Sequence, residues 1–326
     1  AKDGDVILVQ SGTYKENINY NDKNIAVIGI DPETTIIDGS NGDVNVHTVS
    51  IQSVTDGQAV LKGFSVINGS GGILASDAVI DLCKVYNNEW HGWWPRAGNL
   101  LLHGTTTVKN TIVIASNNNL PPIGVHYGDS SMINCTVIND YKDLETFIVE
   151  GPSSLTVINS NVGGEKILSA VVFREGDKPV LNIANNNFFN YKNEALHYNL
   201  VNWDSGLEVY KINDGPIVDY SGNIFSDPAF VDLAKGDYHL SDVSPSIGAG
   251  TVSITIDGVS YTASSTDMDG KSRPDMGAYP ASTSDGKLQV ASGDRLTVFY
   301  DDPKGDWGTA LQVRDEALYA ATVIKG

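Results

Sequence analysis

Asn134-Cys135-Thr136-Val137-Ile138-Asn139 is a short apolar strand headed by a small residue and closed by an asparagine. The pattern stands again at Leu82-Cys83-Lys84-Val85 with Asn87-Asn88, and at Asn110-Thr111-Ile112-Val113 with Asn117 to Asn119. It continues at Asn159-Ser160-Asn161-Val162 and Asn185-Asn186-Asn187-Phe188. The second positions, 83, 111, 135, 160 and 186, lie 28, 24, 25 and 26 residues apart. A period near 25 residues with three short strands per turn fits one coil of a parallel β-helix, each coil bonded to the next about 4.8 Å along the axis. A β-sandwich supplies Asn-rich turns too, but gives no reason for a sustained period. The fold class read from this stretch is all-β, a right-handed parallel β-helix.

Outward from it, helical signals are scarce. Short runs such as Val6-Ile7-Leu8-Val9, Ile25-Ala26-Val27-Ile28 and Leu61-Lys62-Gly63-Phe64-Ser65-Val66 are broken by Gly, Asn, Asp and Ser throughout. Asparagines stacked at one corner are expected to tolerate a left-handed backbone and to form an amide ladder. The register also aligns Cys83 with Cys135, with the Thr111 coil between them. Two coils separate them by about 9.6 Å, beyond the ~7 Å reach of a disulfide, so both thiols are expected to be free.

Forty acidic against 21 basic side chains give a formal charge of −19, which repels phosphate backbones and anionic lipid. Nucleic-acid and membrane-surface partners are therefore not expected, and no run reaches the ~18 apolar residues of a membrane span. The chain opens at Ala1-Lys2-Asp3-Gly4-Asp5 in mid-motif, so upstream sequence is expected.

Asp3-Gly4-Asp5-Val6-Ile7-Leu8-Val9 and Gly12-Thr13-Tyr14-Lys15-Glu16 resemble the first coil of the pectate-lyase and pectin-methylesterase β-helix superfamily. The resemblance implies the fold and not the esterase chemistry. The paired aspartates and the Arg-Pro-Trp segment of the esterases have no counterpart, and Phe147-Ile148-Val149-Glu150-Gly151 follows Thr146 where an aspartate should stand. A second match runs through Ser226-Asp227-Pro228-Ala229-Phe230, Gly236-Asp237-Tyr238-His239-Leu240, Ser244-Pro245-Ser246 and Asp267-Met268-Asp269-Gly270 to Tyr279. It resembles the closing segment of bacterial surface β-helix proteins that carry interchangeable C-terminal anchors. This implies a secreted, cell-surface protein of bacterial or archaeal type with a capped helix. The expected domains are 1–281, the β-helix with its closing segment 226–279, and 282–326. The latter looks like a small β-module found in tandem on surface proteins, able to donate a strand.

Trp90, His91, Trp93, Trp94 and Arg96 crowd one loop between coils. Flat aromatic faces stack on sugars, so this loop is the glycan-binding candidate; the other reading is a hydrophobic lid. Asp267, Asp269 and Asp275 around Gly270 resemble half of a calcium loop, and Asp301, Asp302 and Asp306 form a second acidic turn, so Ca²⁺ is the cation to consider. His103, His126, Arg174, Glu175, Lys178, Lys192 and His197 are available for acid–base work, yet nothing in their spacing selects a base.

Two functions stay open. The leading one is an extracellular structural or surface protein, stacking head to tail into filaments through unpaired coil edges and touching glycan. The alternative is a polysaccharide lyase or other carbohydrate-active enzyme on an acidic polysaccharide. A groove holding carboxylates with a close Lys, Arg or His marks the enzyme; a flank of only Asn, Ser and Thr marks the scaffold.

Overall fold

A computed structural model describes residues 1–43, 45–52, 58–89, 97–115, 120–141, 144–174, 177–190, 198–202, 215–271 and 275–280. The expected module at 282–326 lies outside them. Strands visit three parallel sheets in strict rotation, giving sheets of nine, eight and eight strands whose neighbours belong to successive coils. One coil runs Ala78–Asp81 in the first sheet, Lys84–Tyr86 in the second and Leu100–His103 in the third. The next runs Thr107–Lys109, Ile112–Ile114 and Ile123–His126. The result is a right-handed parallel β-helix with coils of about 24 residues, as the period in the sequence requires.

Alternation along each strand sends one residue inward and its neighbours outward. The inward column of the second sheet, Ile37, Val66, Val85, Val113, Val137, Val162 and Phe188, is fully enclosed and continuous from coil to coil.

The turn from the first sheet into the second explains the repeat. Its leading residue is left-handed in each of the five repeats, with φ of 52° at Leu82, 44° at Asn110, 55° at Asn134, 52° at Asn159 and 51° at Asn185. Asn accepts that conformation with less strain than most side chains. The following residue points inward. Thr111 Oγ1 donates to the Lys109 carbonyl at 2.6 Å and accepts the Cys83 N–H at 3.4 Å. Ser160 Oγ donates to the Ile158 carbonyl at 2.9 Å and accepts the Cys135 N–H at 3.0 Å. Asn186 Oδ1 accepts the Ser160 N–H at 2.9 Å, and its Nδ2 donates to Asn223 Oδ1 at 3.1 Å. A cysteine fits because its thiol donates to the same carbonyl position, Cys83 to Asp81 and Cys135 to Ile133. Both cysteines are buried and free, as their spacing predicts.

The expected ladder of corner asparagines takes another form. The side chains of Asn134 and Asn159 face outward and hold the chain's own later residues: Asn159 Nδ2 donates to the Thr251 carbonyl at 2.7 Å while its Oδ1 accepts the Thr251 N–H at 2.8 Å. Asn134 Nδ2 donates to the Asp275 carbonyl and its Oδ1 accepts the Ser264 N–H. On the outer face of the second sheet, Asn161 bonds Met276 and Ser246, and Thr136 accepts the Ala278 N–H.

Residues 226–280 are thus not further coils. They form two antiparallel hairpins, Phe230–Asp232 with Asp237–Leu240 and Ser253–Ile256 with Val259–Thr262, laid along the flank of the helix. Tyr238, Ala278 and Tyr279 pack on Ile112, Ile138 and Phe189 of the second sheet, while Ile256 packs on Ile158 and Ala184 of the first. In the first coil Val6 and Leu8 point outward and are exposed, and a cavity of about 630 Å³ is lined by Ile18, Tyr20, Val27, Ile37 and Phe64.

Candidate functional site

With the first and second sheets partly covered by the closing segment, the outer face of the third sheet is where titratable groups gather. In Leu100–His103 the inward residues are Leu100 and Leu102, which turns Leu101 and His103 outward. The same alternation turns out His126 from Ile123–His126, and Ile148 and Glu150 from Glu145–Glu150. Register then aligns Gln52, Ser76 and His103 across neighbouring strands, and His126 with Glu150 and Val171. The rings of His103 and His126 lie 5.4 Å apart, edge to face, so the two halves form one row.

The row is enclosed on its outer side. His126 is 7% exposed and Glu150 1%, while His103 is intermediate. Two residues before the row, Gly124 leaves room for close packing on the same face: a Cβ there would lie 2.9 Å from that of Ala97 and 3.2 Å from Ile148. Burial holds His126 down to about 4, with the neighbouring His103 adding to the shift, and it lowers His103 as well. Both imidazoles are therefore neutral near pH 7. His103 Nε2 is shielded and has no hydrogen-bond partner among the described residues.

Around the row, Asp77 Oδ1 accepts the Thr105 N–H at 2.9 Å, and Asp177 Oδ2 accepts the Phe173 and Arg174 N–H groups at 3.0 and 2.9 Å. Phe173 meets the His126 ring at 6.2 Å and Tyr127 meets it at 3.9 Å. A neutral imidazole beside a carboxyl group is a donor–acceptor pair suited to proton transfer or to holding hydroxyl groups.

Of the residues named from sequence, His103 and His126 are brought together, while Arg174 and Lys178 stand exposed after the strand Lys166–Val172. Glu175, Lys192 and His197 lie outside the described residues, as do Trp90, His91, Trp93, Trp94 and Arg96 and the acidic turn of Asp301, Asp302 and Asp306. Thr146 is buried and bonded to the carbonyls of Gly163 and Lys166, and its strand brings Glu150 to the row.

The turn read as half a calcium loop is held by its own chain. Asp267 Oδ1 accepts the N–H groups of Asp269 and Lys271, both at 2.9 Å, and Asp275 Oδ1 accepts that of Gly248. Asp269 Oδ2 contacts His239 Nε2 at 3.2 Å and Lys271 Nζ at 3.4 Å. Among the described residues no three His, Cys, Asp or Glu side chains converge as a metal site. Glu150, Asp77 and Tyr127 were not singled out from sequence. The usable signal was their place immediately before or at the turn that follows each third-sheet strand.

No protein-family model matches the chain, and no curated protein matches it. Among solved structures it is similar to the pectin methylesterase from Yersinia enterocolitica, with a TM-score of 0.45 and 9% identity over 68% of this chain and 85% of that one. It is also similar to the pectin methylesterase from carrot, with a TM-score of 0.46 and 14% identity over 68% of this chain and 73% of that one. At these values the likeness bears on neither reaction nor substrate.

Proposed function

We propose that this chain is an extracellular carbohydrate-active β-helix protein whose ligand face is the outer side of the third sheet. The observation that carries the reading is the row His103–His126–Glu150, in which Glu150 stands in strand register with a neutral imidazole whose ring meets a second one on the same face. The Asn, Ser and Thr flank expected of a pure scaffold exists, but it is occupied by the closing segment. A net charge of −19 with a carboxyl group in the row favours a neutral glycan over a polyanion, which would need a bridging cation. His103, the least enclosed residue of the row, is the ligand contact, and His126 and Glu150, enclosed beside it, set its surroundings.

The test is a binding and cleavage screen on neutral and uronate polysaccharides, with and without Ca²⁺, comparing the natural chain with His103→Ala and Glu150→Gln. Turnover of a neutral glycan that falls about 10²–10⁴-fold in the variants supports acid–base chemistry at the row. Turnover or binding indifferent to both substitutions removes this face from the function.

A further inference from the structure

Four successive coils pass from the third sheet into the first through one left-handed residue, Asp77, Gly104, Tyr127 and Gly151, with φ of 52°, 57°, 54° and 67°. Glycine adopts this conformation freely and aspartate tolerates it, whereas a bulky aromatic is strained there. Tyr127 is the bulky exception in the column. Its backbone does nothing a glycine could not do, its carbonyl accepting the Gly104 N–H at 3.0 Å. Nor does its ring fill the core: the residue is 57% exposed. Gly128 beyond it has no room for a Cβ, which would fall 2.3 Å from the Gly104 carbonyl oxygen, so the chain is pressed onto the preceding coil and the Tyr127 corner is fixed in place. The ring leans on His126, with centroids 3.9 Å apart and planes at 46°, and so stands beside the middle of the His103–His126–Glu150 row.

Strain kept for a side chain that is neither buried nor needed by the backbone belongs to a binding surface. We propose that Tyr127 is a sugar-stacking subsite, receiving the C–H face of a neutral pyranose ring beside the histidine row. This rests on the carbohydrate reading of that row and adds to it a named subsite and the ligand face it takes. The platform is an aromatic ring already braced on one side by an imidazole, so little freedom is lost when a sugar covers the other side.

The experiment measures affinity for cellohexaose, xylohexaose, mannohexaose and hexagalacturonate, together with thermal midpoint, for the natural chain, Tyr127→Gly and Tyr127→Trp. The expected result is that Tyr127→Gly weakens the neutral hexaose that binds by about tenfold or more while its midpoint holds or rises, and that Tyr127→Trp keeps the affinity. Unchanged affinity in Tyr127→Gly, with the natural chain binding, overturns the subsite and leaves the face intact. A lowered midpoint in Tyr127→Gly shows a structural ring and also overturns it. A natural chain that binds none of the four overturns the ligand-face reading, and the subsite falls with it.

Discussion

Asn159 does two things at once: its backbone turns the corner at φ 52° and its amide clasps Thr251 from both sides. Replacing it separates them. Asn159→Gly keeps the turn and loses the clasp, which should cost about 1–3 kcal/mol in urea unfolding, and Asn159→Ala should cost more because the left-handed strain is added. Equal stability of the two variants would show that the corner is not strained. The cysteines make a simpler case. Burial pushes the Cys83 thiol up to about 12, so neither Cys83 nor Cys135 should react with a thiol reagent until the chain is unfolded, when both react. The alignment of 83, 111, 135, 160 and 186 was legible because a repeated small residue in a repeated conformation leaves its mark on sequence. What the asparagine amides hold was not legible, since Thr251 and Ser264 lie about a hundred residues away and no local preference points to them.

At the scale of the strand, the third sheet carries the pH dependence. His126 and His47 both titrate at about 4 in the folded protein because burial disfavours the imidazolium, against an ordinary value of 6.5. The unfolded chain binds these protons first, so stability is fully present above about pH 6.5 and falls as pH drops toward 4. Glu150 and His103 flank His126 along the row, with Asp77 and Asp177 at its margins. Thermal midpoints should therefore decline by several degrees between pH 7 and pH 5, and His126→Gln should flatten the decline; an unchanged slope in that variant would assign it to other groups. The row itself escaped sequence reading for a physical reason. His103, His126 and Glu150 stand 23 and 24 residues apart, at the coil period, but two imidazoles and a carboxyl group are not one repeated residue type, and only the hydrogen-bonded register shows that all three face outward. The tryptophan loop, Trp90 to Arg96, lies outside the described residues.

Across the whole molecule, a coil contacts chiefly its neighbours, and a solenoid of this kind would melt piecemeal if nothing tied distant coils together. The closing segment does tie them. Tyr279 reaches Glu33 near the first coils, and Ser246 bonds Asn161 and Asn187 in later ones. Phe147→Ala, deep in the core, should thus lower global stability by about 3–5 kcal/mol and leave a single unfolding transition, monitored by circular dichroism and hydrogen exchange together. Two separated transitions would mean that the segment does not couple the coils. The same segment covers part of two sheets, and the proposed ligand face lies on the third. Hydrogen exchange of the natural chain with and without a saturating neutral hexaose tests that assignment most directly. Protection confined to residues 100–103, 123–128 and 145–151 is the expected result; protection at the asparagine corner instead, or none at saturation, would contradict it.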